Sequence, residues 1–305
     1  MPAVLSEIAQ EKMAKSREQA VKFIEIAPGR HVPASVSMRK LEKRIVRLVS
    51  KAILDYKMIE DGDKIMVCMS GGKDSYVLLD ALARLQKRAP ISFSIVAMHV
   101  AQGIPNAPTE KLEEWLKTKG VPYHIEYQDT YSIVQELIPS GRNVCSLCAR
   151  LRRGIVYRVA GELGCNKIAL GHQMDDVVST LLLNMFYGGG IKAMPPILRS
   201  DDHKNIVIRP LIYLREYEMA KWAEICEYPL FPKDLCSAGE NLQRKEIKAM
   251  MARWDKEYDS RVYNLFMSTT RVAASQLADK NLFDFENFRR IGHKEVEVAE
   301  PDDTP

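Results

Sequence analysis

The chain is expected to fold as a doubly wound α/β protein on a mostly parallel, five-stranded sheet, with helical additions at both ends. Three observations carry that expectation. From Ile65 onward, short unbroken apolar runs alternate with segments of helical periodicity, the pattern of strands buried on both faces of a parallel sheet. The first such run, Ile65 to Met69, breaks into Ser70-Gly71-Gly72-Lys73-Asp74-Ser75 before a strongly helical stretch. Strand, glycine turn and helix aim backbone N–H groups and a helix dipole at an anion. Finally, 305 residues with 46% apolar content can fill one large core or two ordinary ones.

The elements follow in order. Residues 4–24 and 37–57 carry helical periodicity, separated by the turn-rich linker APGRHVPAS. Strands are expected at 65–69, 94–100 (SIVAMHV), 122–127 (PYHIEY), 167–171 (KIALG) and 206–208 (IVI). Helices are expected near 74–87, 109–119, 148–163, 174–187 and 215–227. Beyond residue 240 the pattern is helical and charged, closing with NLFDFENF and the acidic stretch EVEVAEPDDTP, expected to be disordered. The expected division is a helical extension over 1–60, an α/β domain with both the glycine loop and a CxxC over 61–235, a helical region over 236–292 and a tail over 293–305.

Composition narrows the setting. No stretch approaches the roughly 18 apolar residues that a membrane span needs. The N-terminus lacks an apolar leader core, and Glu7, Glu11 and Glu18 argue against a transit peptide. Six cysteines in a chain of this length do not form a disulfide scaffold; their clustering suggests metal or redox chemistry in a reducing compartment, the cytosol. A net charge of +4 does not by itself demand a nucleic-acid partner.

The glycine loop is built for phosphate, but not in the manner of P-loop ATPases. The G-x-x-x-x-G-K-[ST] spacing needs four residues between glycine and Gly-Lys, and here Gly71 directly precedes Gly72-Lys73. In a parallel sheet the ligand site lies beyond the carboxyl ends of the strands, where strand order reverses, and this loop follows the first strand. Lys73 opens a helix, where a cation opposes the dipole, so a role in binding outweighs a role in helix stability.

Cys145-Ser-Leu-Cys148 is a second constellation. A CxxC alone fits a zinc half-site, a dithiol pair or half of a cluster site. A zinc finger would need a second ligand pair, yet the other cysteines stand singly. A thioredoxin-type dithiol would sit after its unit's first strand, whereas this pair lies between the loop IPSGRNV and an arginine-rich helix. Two local ligands with one or more distant ones remain, and Cys236, in PKDLCSAGENLQR, is the best third. Cys68 reads as core within an apolar strand; Cys165 and Cys226 read as structural.

Five arginines (Arg142, Arg150, Arg152, Arg153 and Arg158) fall between Leu137 and Gly161 without an acidic residue. On a helix, Leu151, Ile155, Val156, Val159 and Leu163 form one apolar stripe, with Arg150, Arg153 and Arg158 opposite. Such a face suits RNA phosphodiesters. Arg152 falls within the stripe, where a cation needs an anion, so it is assigned to the active site or its shell. The fourth strand runs into Gly171-His172-Gln173-Met174-Asp175-Asp176; its two aspartates either complement the dipole of the following helix or stand at the strand's carboxyl end to hold a magnesium ion or contact the nucleotide and substrate.

Together these segments resemble a family. SGGKDS after an apolar strand is similar to the pyrophosphatase loop of the N-type ATP pyrophosphatases. CSLCARLRRGIVYR, KIALGHQMDD, LLLNMFYGGGIKAMPP, IVIRPLIYLRE and LCSAGENLQR, in this order, resemble the bacterial tRNA 2-thiocytidine synthetases. The resemblance covers roughly residues 40 to 290. It implies a PP-loop fold of the adenine nucleotide alpha-hydrolase type, thiolation of cytidine 32 in the tRNA anticodon loop, ATP, Mg2+, a [4Fe–4S] cluster on three cysteines, and usually a homodimer. Carried onto this chain, the nucleotide loop is Ser70, Gly71, Gly72, Lys73, Asp74 and Ser75, supported by Gly171, His172 and Asp176. Lys73, Asp74 and Asp175 are the expected catalytic residues, and Cys145, Cys148 and Cys236 the cluster ligands with one iron left open. A sulfur donor such as a cysteine desulfurase would act upstream. The chain departs from the family where a pattern like N-L-D-Q is expected and His99-Val100-Ala101-Gln102 stands instead. Alternatives from other classes are a related enzyme acting on another base, a non-catalytic RNA-binding protein and a cluster-bearing redox sensor.

Overall fold

The structure is a computed structural model that describes residues 23–27, 30–33, 36–137, 145–200, 203–232, 235, 242–258 and 260–287, with only the backbone described for 23–37, 145 and 146. Its centre is a six-stranded sheet: β3 (Lys64–Cys68), β4 (Ser94–Ala101), β5 (Tyr123–Tyr127), β6 (Lys167–Ala169), β7 (Ile197–Arg199) and β8 (Ile206–Ile208). The spatial order is β5-β4-β3-β6-β8-β7. All neighbours run parallel except β7, which pairs antiparallel with β8. The chain starts at the centre, walks to one edge through β4 and β5, then returns to the other side of β3 as β6. The order therefore reverses between β3 and β6.

Strand residues alternate between two cores, as a period of two requires. Ile65, Val67, Ile95, Ala97, Ala169 and Ile208 join one core with α2 (Lys73–Gln86), α3 (Thr109–Lys119), α6 (Met174–Tyr187) and α7 (Glu216–Cys226). Met66, Val96, Met98, Ile168 and Val207 join the other, against Ile155, Val156 and Val159 of α5 (Cys145–Glu162). The doubly wound expectation holds, including the apolar stripe on α5. The long helix α1 (Val36–Asp55) packs on the first face, as do α8 (Leu242–Glu257) and α9 (Arg261–Ser268) through Ile247, Met251, Val262 and Phe266.

Local signals explain the boundaries. α3 stops at Gly120, whose φ of 65° is left-handed and suits a residue without Cβ. Gln173 and Asp176 close a reciprocal capping box at the start of α6.

Three expectations change. The helix expected over 4–24 and the linker after it contain a hairpin, β1 (Phe23–Ala27) with β2 (Arg30–Pro33). Aromatic and β-branched residues on both sides of Pro28-Gly29 favour paired strands over helix; residues 4–22 lie outside the described ones. The sheet has a sixth strand, β7, missed because three exposed residues between Pro196 and Ser200 carry no periodic signal. A short helix, α4 (Thr130–Leu137), precedes the CxxC. The tail over 293–305 lies outside the described residues.

Candidate active site

The glycine loop and Gly171-His172 emerge from β3 and β6, the two strands flanking the order reversal, so the predicted nucleotide residues meet at the switch point. Gly71 turns the chain with φ of 79°, and a Cβ there would lie 2.3 Å from the Phe231 ring. Phe231 is fixed in that place because its N–H donates to the Gly71 carbonyl at 2.9 Å. Gly171 also passes close, on the other side, where a Cβ would meet the Asp74 carbonyl carbon at 3.1 Å. Ser75 Oγ donates to the Gly72 carbonyl at 2.8 Å and accepts from the Ser70 N–H at 3.2 Å, which holds the loop closed on itself. Helix α2 starts at Lys73 with Gly72 as its N-cap, which offers no side-chain cap, so no capping side chain competes for the positive end of the helix at the loop.

Charged side chains line the mouth of this loop. The Lys73 ammonium donates to Glu216 Oε1 at 2.9 Å and stands 3.3 Å from Asp74 Oδ1. Burial opposes the Lys73 charge, but Asp74 and Glu216 outweigh it and raise its pKa. The Asp74 pKa is raised as well, but here burial wins: reinforced by Asp176 and Glu216, it exceeds the pull of Lys73 and pushes the carboxyl up to about 6. Its Oδ1 is buried with no hydrogen-bond partner among the described residues, the Lys73 contact being ionic and poorly aligned. Asp176 is raised too, by burial first, although the Gln173 N–H, Lys248 and Arg244 pull it down. Among the described residues no group of three metal-ligating side chains stands ready-made, but magnesium commonly takes only one or two carboxylates and completes its shell with phosphate and water, and Asp74 and Asp176 could supply those two. An orphaned buried oxygen is an observation that fits it.

Asp175 faces elsewhere. Its carboxylate accepts from Arg215 at 3.0 Å and from the Glu216 N–H at 2.8 Å, and Arg215 also donates to Asp255 at 2.6 Å. Asp175, expected as a catalytic residue, is held here by Arg215 and the Glu216 N–H, which ties α6 to the start of α7, while Glu216 stands at the mouth of the loop. Sequence reasoning missed Glu216; an acidic first-turn residue in LREYE was its only signal. His172 is kept neutral, its pKa lowered to about 4 by burial and by Arg209, Arg244 and Arg152.

The CxxC opens α5, one turn earlier than expected, so Cys145 and Cys148 share a helix face at i,i+3. Cys148 is half-buried, and its thiol donates to Gln102 Oε1 at 3.3 Å, at the carboxyl end of β4 beside the glycine loop. Gln102 belongs to the HVAQ segment where the chain departs from the family. In the same segment His99 is buried, its Nδ1–H donating to the Met69 carbonyl at 2.7 Å under the loop, and burial lowers its pKa. The Cys145 side chain, Cys236 and Arg142 lie outside the described residues. Cys165 and Cys226 are buried, and burial pushes the Cys68 thiol up to about 12, which keeps it protonated.

Arg150, Arg152 and Arg153 are exposed and have no ion-pair partner among the described residues. The premise for Arg152 is corrected, since its side chain is outside the apolar stripe, although its charge reaches His172 and Cys68. Arg158 is also corrected. It pairs with Glu162 at 2.9 Å and Glu126 at 2.5 Å, so it is not a free phosphate contact. Glu162 lies just past the acid-free stretch, and Glu126 arrives from β5.

Comparison with known proteins adds to this geometry. Residues 38–253 match the PP-loop domain family. The chain is 58% identical over 253 residues to a tRNA-cytidine(32) 2-sulfurtransferase of Burkholderia cenocepacia, covering 83% of this chain and 76% of that protein. It is 57% identical over 262 residues to the protein of the same name from Burkholderia lata, covering 86% and 78%. Among solved structures it resembles the U34-tRNA thiolase NcsA from Methanococcus maripaludis with its [4Fe-4S] cluster, at a TM-score of 0.62 and 25% identity, over 76% of this chain and 78% of that one.

Proposed function

The chain belongs to the PP-loop family and to the tRNA-cytidine(32) 2-sulfurtransferases, and from that premise we propose how its residues divide the work. The protein is an ATP-dependent tRNA sulfurtransferase. A cytosine 2-carbonyl oxygen is a poor leaving group, so it must be activated before sulfur can replace it. The oxygen attacks the α-phosphorus of ATP, the bond from that phosphorus to the bridging oxygen breaks, and pyrophosphate departs. Its charge develops against the first-turn N–H groups of α2 and the Lys73 ammonium, a preorganised arrangement that costs no reorientation during the step. Asp74 and Asp176 would hold Mg2+, with Glu216 releasing Lys73 to the phosphates. Sulfur at the sulfide level, as hydrosulfide released from a desulfurase persulfide by a thiol reductant, then adds at C2; its proton passes to solvent, the C2–O bond breaks, and AMP leaves with the former carbonyl oxygen.

A [4Fe–4S] cluster fits the donor set. Cys148 presents a half-buried thiol at the end of β4, Cys145 shares its helix face, and Cys236 follows a segment tied to the glycine loop through Phe231. Three cysteines leave one iron open, and that position would supply the sulfur that reaches C2. Residues 61–235 form the nucleotide-binding domain and 236–292 the region that completes the cluster site. A cysteine desulfurase is the sulfur source, and the enzyme works as a homodimer in the cytosol; among the described residues no helix is long and apolar enough to cross a membrane.

The observation that carries this reading is the meeting of Lys73, Asp74, Asp176 and Glu216 at the switch point, with the Cys148 thiol at the next strand's end. Nucleoside mass spectrometry of tRNA from cells lacking the protein tests it: 2-thiocytidine should vanish and return with the wild-type gene. Its persistence would remove the assignment.

A further inference from the structure

Two arginines of this protein are equally buried, each 7% exposed, yet their surroundings differ. Arg215 meets the carboxylates of Asp175 and Asp255. Arg209, just past β8, meets none among the described residues. Its Nε donates to Nδ1 of His172 at 3.3 Å and its Nη1 to the Pro195 carbonyl at 2.6 Å, both neutral acceptors. A guanidinium buried without an anion is costly, and here the neighbours make it costlier. The charge of Arg153 bears on Arg209, and those of Arg244 and Arg152 bear with it on His172. The three satellites are exposed and lack ion-pair partners among the described residues. Four cations thus converge where, among the described residues, no carboxylate pairs with them.

We propose that Arg209, ringed by Arg152, Arg153 and Arg244, binds a backbone phosphate of the RNA substrate and so holds the target nucleotide at the mouth of the adenylation pocket. This rests on the reading of the protein as a tRNA sulfurtransferase. Placement favours RNA over ATP. Arg209 follows β8, two strands from the glycine loop, where Lys73 and the α2 N–H groups already receive pyrophosphate. The cluster also continues outward: Arg152 and Arg153 lie on the exposed part of α5 with Arg150, a track that a polyanion can follow and a mononucleotide does not need. His172 serves as a neutral acceptor that orients the guanidinium without competing for its charge. The inner position fixes one phosphate, and the outer arginines guide the strand to it.

The test compares Arg209→Gln and the double variant Arg152→Gln/Arg244→Gln, made in the anaerobically prepared full chain, in two binding assays. One measures unmodified tRNA over a range of salt without ATP; the other measures ATP without tRNA. Expected for Arg209→Gln is about a tenfold weaker tRNA affinity and a log K against log salt slope reduced by roughly one unit. ATP affinity should be unchanged. The double variant changes only exposed side chains, so it decides the matter if Arg209→Gln fails to fold, and its slope should fall by up to about two units. Unchanged tRNA affinity and slope in the folded variants would overturn the proposal. So would lost ATP affinity with tRNA binding intact, which would make this an ATP subsite. Wild-type protein that binds tRNA with this dependence but restores no 2-thiocytidine would break the sulfurtransferase reading and leave the phosphate site standing.

Discussion

Lys73 Nζ and Glu216 Oε1 meet at 2.9 Å across the opening of the glycine loop, joining the first turn of α2 to the first turn of α7. A lysine that must take up pyrophosphate charge is thus held by a carboxylate until phosphate arrives. With Asp74 and Asp176 beside it, Glu216 adds to a negative potential that repels free ATP. Binding of ATP should therefore depend steeply on magnesium, falling by about tenfold or more in EDTA. Glu216→Gln should narrow that difference by removing one repelling charge, whereas Lys73→Ala should abolish thiolation with folding and cluster content retained. Calorimetric titration with and without the metal checks the first two, and a thiolation assay with iron content and circular dichroism checks the third. Equal ATP affinity in wild type and Lys73→Ala would end the pyrophosphate-cradle reading.

Asp74 supplies a pH signature. Its carboxyl is raised from 3.8 to about 6 in the ligand-free fold. Between those values the native chain holds a proton that the unfolded chain has released, so this group makes the apo-protein less stable as pH rises from about 4 to about 6. Magnesium favours the ionised form and reverses the bias. Binding of Mg–ATP near pH 6 should therefore release protons, measurable as an observed enthalpy that varies with the buffer's ionisation heat. Asp74→Asn should reduce that release; the wild-type release surviving unchanged would assign it to another group.

Legibility in the sequence followed the distance between interacting residues. The glycine loop, the parallel strands and the apolar stripe of α5 were readable because each is set by neighbours within one element. The ion pair of Asp175 was not legible because its partner, Arg215, lies 40 residues away on another helix, and nothing local separates a carboxylate aimed at a pocket from one that also meets an arginine. Arg158 failed likewise, since Glu126 comes from a strand 32 residues earlier. Glu216 and Arg209 became visible only when the fold brought β6, β8 and α7 together. The hairpin of β1 and β2 was lost to an apparent helical period that Phe23, Ile24 and Ile26 also satisfy as strand.

Arg215 and Arg158 should separate in a stability measurement. Removing Arg215 leaves Asp175 and Asp255 facing each other without their shared cation, one side chain 14% and the other 34% exposed. Arg215→Met should cost about 3 kcal/mol, toward the low end for a broken buried pair because Asp255 is partly hydrated. Arg158 is 46% exposed, so Arg158→Gln should change stability far less than Arg215→Met and leave tRNA affinity alone. Urea unfolding of the two variants gives both numbers, and comparable losses would mean that the Asp175 knot is no more buried than a surface pair.

The cysteines admit the sharpest division. Cys148 offers a half-buried thiol on a face shared with Cys145, next to the adenylation pocket. The other described thiols are held as neutral groups: burial pushes Cys68 up to about 12 and Cys226 up to about 11, and it raises Cys165 as well. A cluster takes thiolates, so a thiol that resists ionisation at the edge of an apolar strand is a poor ligand. Serine at Cys145, Cys148 or Cys236 should therefore remove both iron and activity from protein prepared without air. Serine at Cys165 or Cys226 should keep both, at a stability cost of about 1 kcal/mol for burying a hydroxyl. The wild-type chain should carry about four irons and bleach on exposure to oxygen. Stoichiometric zinc in fully active anaerobic protein would sink this assignment, and so would full activity in Cys236→Ser, because two cysteines one helical turn apart cannot hold a cubane alone.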